Sequence, residues 1–102
     1  MSEELNAGNF HEFIKKGVVV VDFFAEWCGP CKQLGPIFDD LSKEMTDVKF
    51  GKVNTEDNPT LAKEYEVRSI PYILIFKDGK QVKEIIGFQS KEALKKEIES
   101  VE

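Results

Sequence analysis

The two cysteines of the chain, Cys28 and Cys31, stand three positions apart in Ala25-Glu26-Trp27-Cys28-Gly29-Pro30-Cys31-Lys32. Three kinds of chemistry fit two thiols at that spacing: a local structural disulfide, half of a metal site, or a redox pair. Stability is a weak reason for a bridge here, because it would close too short a loop to restrict the unfolded chain much. A structural zinc site takes four ligands, mostly cysteine or histidine, whereas this sequence offers two thiols and one distant imidazole, His11. No metal is therefore expected, with an ion shared between two chains as the alternative, and His11 reads as part of a solvated helix face. The reading that remains favoured is thiol–disulfide exchange, in which a thiolate is the nucleophile.

Composition narrows the setting. With 102 residues, 41% hydrophobic and 32% charged, the chain is long enough for a layered core and is expected to form a single domain over 1–102. A net charge of -5, with no basic cluster beyond Lys15-Lys16 and Lys95-Lys96, argues against a nucleic-acid surface or a basic membrane helix. No apolar run is long enough to span a bilayer, and Met1-Ser2-Glu3-Glu4 lacks the basic start of an export signal. A cytoplasmic location is expected. Thiols are kept reduced there, which favours a catalytic or metal-binding pair over a structural one.

The elements that must position the thiols can be read in order. Asn6 caps a first helix to about Lys16, with Phe10, Phe13 and Ile14 on one face. Gly17 stops it, and Val18 to Ala25 is a near-continuous β-branched and aromatic run, as in a central strand covered on both faces. Leu34, Phe38, Leu41 and Met45 mark a helix from about Pro30 to Met45, kinked at Gly35-Pro36. Val48 to Asn54 reads as a strand, and Asn58-Pro59 starts a short helix to about Tyr65. Pro71 opens a strand, Tyr72 to Phe76, joined through Asp78-Gly79 to a hairpin partner, Gln81 to Ile86. Ser90 caps a last helix whose Leu94, Ile98 and Val101 face inward. Residues 2 to 5 would make a short edge strand, against the charge of Glu3-Glu4. The whole is an α/β fold, a mixed central sheet with helices on both faces.

In that layout Cys28 lies where a buried strand hands over to a helix. The unpaired N–H groups and the positive end of the helix dipole then face its sulfur and favour the thiolate. Cys28 is expected to be the solvent-reachable attacking thiol. Cys31, one turn into the helix, is placed to resolve a mixed disulfide. Gly29 and Pro30 allow the turn, and Pro30 lacks an N–H where the helix start could not use one.

The chain resembles the thioredoxin family over essentially all of its length. The motifs that carry the likeness are VVVVDFFAEWCGPCK, the Gly35-Pro36 pair, VNTEDNP, RSIPYILIFKDG and Gly87. The resemblance implies the thioredoxin fold and reversible reduction of protein disulfides, with no cofactor beyond the Cys28–Cys31 pair. It also implies recharging by a flavin-dependent thioredoxin reductase and a reducing dithiol. A monomer is expected.

Further residues acquire roles by the same likeness. Asp22 stands in an apolar strand with no wet face, so it reads as a buried carboxylate suited to proton transfer rather than a surface charge. Its implied role is to take the proton from Cys31. Lys52 matches the position that approaches this acid and would modulate it; the alternative is a solvated strand-end lysine. Pro71 is implied to be cis and to lie against the disulfide, while Ile70 offers backbone groups to an extended substrate segment. Trp27, Gly29, Pro30, Ile70 and Gly87 would form an apolar docking patch around Cys28, with Trp27 partly exposed.

Phe24, Tyr72 and Phe88 depart from common family residues. Tyr72 and Phe88 are expected to flank the docking patch and so to bear on the breadth of substrates. Three functions follow: a general cytoplasmic protein-disulfide reductase, a specialised thiol–disulfide donor, oxidase or isomerase for a few partners, and a non-enzymatic scaffold. Gly-Pro between the cysteines favours the first.

Overall fold

Val18–Phe24 forms the strand around which the rest assembles, because every residue from Val19 to Phe23 is buried and its β-branched and aromatic side chains suit a doubly covered pleat. The computed structural model describes residues 2–102. In chain order the elements are β1 (Glu3–Glu4), α1 (Phe10–Phe13), β2 (Val18–Phe24), α2 (Gly29–Glu44), β3 (Lys49–Asn54), α3 (Pro59–Glu64), β4 (Tyr72–Lys77), β5 (Lys80–Ile86) and α4 (Lys91–Glu99). The strands form one sheet in the order β1-β3-β2-β4-β5. β2 runs parallel to β3 and antiparallel to β4, so the expected mixed sheet is present. Residues 3 and 4 do make the edge strand, parallel to β3.

Alternation along the strands divides the core into two layers. Val20, Ile73 and Ile75 pack with Leu34, Phe38 and Leu41 of α2 and Leu94 and Ile98 of α4. Val19, Val21, Phe23, Leu74 and Phe76 pack on the other side with Phe10 of α1 and Leu61 of α3. Asp22 follows Val20 by two and pairs with Ile73, which assigns it to the α2 and α4 side. A carboxylate thus occupies a core position.

Local signals act as the sequence indicates at most element ends. The Ser90 hydroxyl accepts a hydrogen bond from the Ala93 N–H at 3.1 Å and caps α4. Asp78 and Gly79 both take positive φ, 50° and 87°, the backbone of a tight hairpin turn. The second helix runs unbroken through Pro36.

Two expectations need correction. The first helix covers only Phe10–Phe13, not Asn6 to Lys16. Asn6 does accept hydrogen bonds on its side chain, from the N–H groups of Gly8 and Asn9, but these close a turn ahead of the helix. At the other end the helix stops at Ile14, and the Gly17 N–H beyond it donates to the Asp78 carboxylate at 2.8 Å, which ties the chain to the distant hairpin. Tyr72 is the second. It is 6% exposed on the α1 and α3 side, its ring 6.1 Å from that of Phe23 and its hydroxyl bonded to Glu84. Period two from Ile73 turns Tyr72 away from the docking side.

Candidate functional site

The site is built at the carboxyl end of β2, where the chain leaves the sheet and enters α2. Cys28 is the N-cap of α2, with extended backbone, and its sulfur accepts a hydrogen bond from the Cys31 N–H at 3.2 Å. No acidic residue lies in the first turn of this 16-residue helix, so nothing else on the helix neutralises its positive end. Pro30 occupies the first turn without leaving a donor unsatisfied. The two cysteines are joined as a disulfide, with Cα atoms 5.2 Å apart.

Ala25, Cys28 and Cys31 form a small buried cluster against which Phe24 and Ile70 pack. In the disulfide both cysteines are 5% exposed. What separates the pair in this state is position: Cys28 caps the helix, while Cys31 lies inside it. Trp27 beside them is 68% exposed, and Gly29 and Pro30 are exposed too. The Ile70–Pro71 bond is cis, as the resemblance implies. Pro71 is buried, and its carbonyl accepts from the Gly87 N–H at 2.8 Å, which draws Gly87 to the same edge. Phe88, next along, is 44% exposed.

Behind the disulfide lies a cavity of about 370 Å³ lined by Asp22, Phe24, Ala25, Glu26, Cys31, Lys32, Gly35 and Lys52. Asp22 is 1% exposed, and its Oδ1 has no hydrogen-bond partner among the described residues. Burial pushes the carboxyl up to about 7; the nearby Lys52 charge pulls it down and Asp39 adds to the rise. An acid that gains and loses its proton near neutrality, in one cavity with Cys31, can exchange a proton with that thiol. Lys52 is close, yet its ammonium pairs with Asp39 at 3.3 Å. The sequence reading missed Asp39; its spacing of four from Gly35 and eight from Cys31 on α2 is the signal that could have found it. His11 lies apart, exposed, 2.9 Å from Glu64.

A reversible Cys-Gly-Pro-Cys disulfide at the start of a helix, on a mixed sheet with a buried acid behind it, defines a thiol–disulfide oxidoreductase. The family model for thioredoxin matches residues 1–100. A thioredoxin of Chlamydia caviae is 48% identical over 94 residues, 92% of each chain. A thioredoxin of Rickettsia typhi is 56% identical over 77 residues, 74% of this chain and 73% of its own. A solved thioredoxin variant from Halobacterium salinarum superposes with a TM-score of 0.90 at 38% identity, covering 97% of this chain and 88% of its own. The chain belongs to the thioredoxin family, and its activity is protein thiol–disulfide exchange at Cys28 and Cys31, with the disulfide itself as the redox group. Among the described residues, no helix is long and apolar enough to cross a membrane.

Proposed function

We propose that the chain is a single-domain, monomeric, cytoplasmic protein-disulfide reductase in which Cys28 attacks, Cys31 resolves and Asp22 takes the proton from Cys31. The observation that carries this reading is the shared cavity of Cys31 and the buried Asp22 behind a cysteine that caps a helix. The Cys28 thiolate attacks one sulfur of a protein disulfide and forms a mixed disulfide, while the other substrate sulfur leaves with the electron pair. Cys31 then gives its proton to the Asp22 carboxylate and attacks Cys28 Sγ. The second substrate thiolate is released, and the protein is left as the disulfide. One two-electron oxidation of the protein thus matches one reduction of the substrate.

Trp27, Gly29, Pro30, Ile70 and Gly87 form the surface on which an extended substrate segment lies, with Pro71 holding Ile70 and Gly87 at its edge. Backbone pairing at Ile70 gives affinity with little sequence preference. Lys52 modulates Asp22 through its charge. A flavin-dependent thioredoxin reductase returns the disulfide to the dithiol. The test is reduction of insulin disulfides with NADPH and a thioredoxin reductase: turnover with the native chain and none with Cys28→Ser is expected. Activity retained by Cys28→Ser would refute the mechanism. A second reading, a donor dedicated to few partners, draws support from the 44% exposed Phe88 beside the patch; strong preference for one protein disulfide, lost in Phe88→Ala, would favour it.

A further inference from the structure

Lys52 and Asp22 are register partners across β3 and β2, and both line the cavity behind the disulfide. Opposite charges so placed would ordinarily pair, since contact with an ammonium stabilises a buried carboxylate. Instead the Lys52 ammonium lies 3.3 Å from Asp39 Oδ1, and Asp22 Oδ1 is without a hydrogen-bond partner among the described residues. The ammonium rests against one face of α2. It is 6.0 Å from the centre of the Phe38 ring and 4.0 Å from where a side chain on Gly35 would begin. Residues 35, 38 and 39 share that face by helical spacing. Asp39 Oδ1 also accepts the Ser2 hydroxyl at 2.9 Å, so its carboxylate is held from the amino-terminal segment as well.

We propose that Asp39 is a positioning residue for thiol–disulfide exchange: it holds the Lys52 ammonium at the rim of the cavity and keeps it from pairing with the Asp22 carboxylate. The consequence for the reaction rests on the reading of Asp22 as the proton acceptor for Cys31. A carboxylate in contact with an ammonium holds a proton poorly and makes a weak base towards a thiol. Asp39 opposes that twice, by anchoring Lys52 and by adding its own negative charge, the direction in which it acts on Asp22. The other charged or titratable groups that line the cavity are Cys31 and Lys32 from α2 and Glu26 from the preceding turn. From β4 and α4 this layer receives Ile73, Leu94 and Ile98, which carry no charge.

The test follows the Asp22 carboxyl carbon by NMR across pH in the oxidised protein, where neither thiol titrates. Four chains are compared: native, Asp39→Asn, Lys52→Met and the double variant, with Asp39→Glu as the charge-conserving control. Asp39 is about half exposed, so its substitution leaves the core intact. Asp39→Asn is expected to lower the Asp22 midpoint by roughly one pH unit, and by less than half of that in the Lys52→Met background. Asp39→Glu should restore most of the native value. An unmoved midpoint in Asp39→Asn, or an equal shift in both backgrounds, would overturn the proposal. Single-turnover resolution of a mixed disulfide, measured on the same variants, should show its acid limb moving with the midpoint. A midpoint that moves while the rate profile stays fixed would support the hold of Asp39 on Lys52 and remove Asp22 from the reaction.

Discussion

The Cys31 N–H donates to the Cys28 sulfur at 3.2 Å, so the backbone of the second cysteine helps to hold the sulfur of the first. This bond belongs to the helix start, where first-turn N–H groups have no partner within the helix. A negative sulfur at position 28 would accept it more strongly than a thiol would. Cys31, inside the first turn and behind the cap, receives no comparable donor among the described residues. Alkylation of the reduced protein with iodoacetamide between pH 5 and 9, with the modified residue mapped, is expected to label Cys28 first and at neutral pH. Labelling of Cys31 first would reverse the two roles.

Asp22 makes stability depend on pH. Folded, it keeps its proton up to about pH 7; unfolded, it releases it near 3.8. Between those values the folded chain binds more protons, so stability contributed by the protonated acid is full below about pH 4 and is lost as pH rises through 7. For the oxidised protein the loss is on the order of 4 kcal/mol. Asp22→Asn, which cannot ionise, should therefore gain about that much at pH 8 and little at pH 4 in guanidinium unfolding. The same variant should slow mixed-disulfide resolution by about 100-fold at neutral pH. Equal stability of the two proteins at pH 8 would mean that burial does not raise the Asp22 carboxyl.

Trp27 contributes surface rather than core, being 68% exposed beside Cys28. Trp27→Ala should leave unfolding within about 0.5 kcal/mol of the native chain. Its effect belongs in recognition: the apparent KM for a protein disulfide should rise about tenfold with kcat little changed, while reduction of a small aromatic disulfide stays near native. A uniform loss on both substrates would place Trp27 in the chemistry instead.

What the sequence made legible were features with a local cause. The Val18–Phe24 run shows its burial by composition, and Asp22 stands out as the one charge inside it. Ser90, Asn58-Pro59 and Asp78-Gly79 mark element ends because capping and turn geometry are set by adjacent residues. The length of α1 was not legible: its apolar face continues to Ile14, yet the helix spans only Phe10–Phe13, after a turn that the Asn6 side chain closes. Asp39 was not singled out, and it gains a role once β3, paired with β2, brings Lys52 to within 3.3 Å of it. For Tyr72, nearness in sequence to Pro71 suggested the docking side, while strand alternation sends it to the other layer.

The division of labour between the two cysteines is tested most directly by trapping. Cys31→Ser leaves the attacking thiol in place but removes the one that releases it, so mixed disulfides with protein substrates should accumulate. Cys28→Ser should trap few. Cell extracts are resolved on non-reducing gels after each variant is expressed, and partners released by dithiothreitol are identified. The account predicts many covalent partners for Cys31→Ser and almost none for Cys28→Ser. Equal trapping by the two variants, or none by Cys31→Ser, would contradict it.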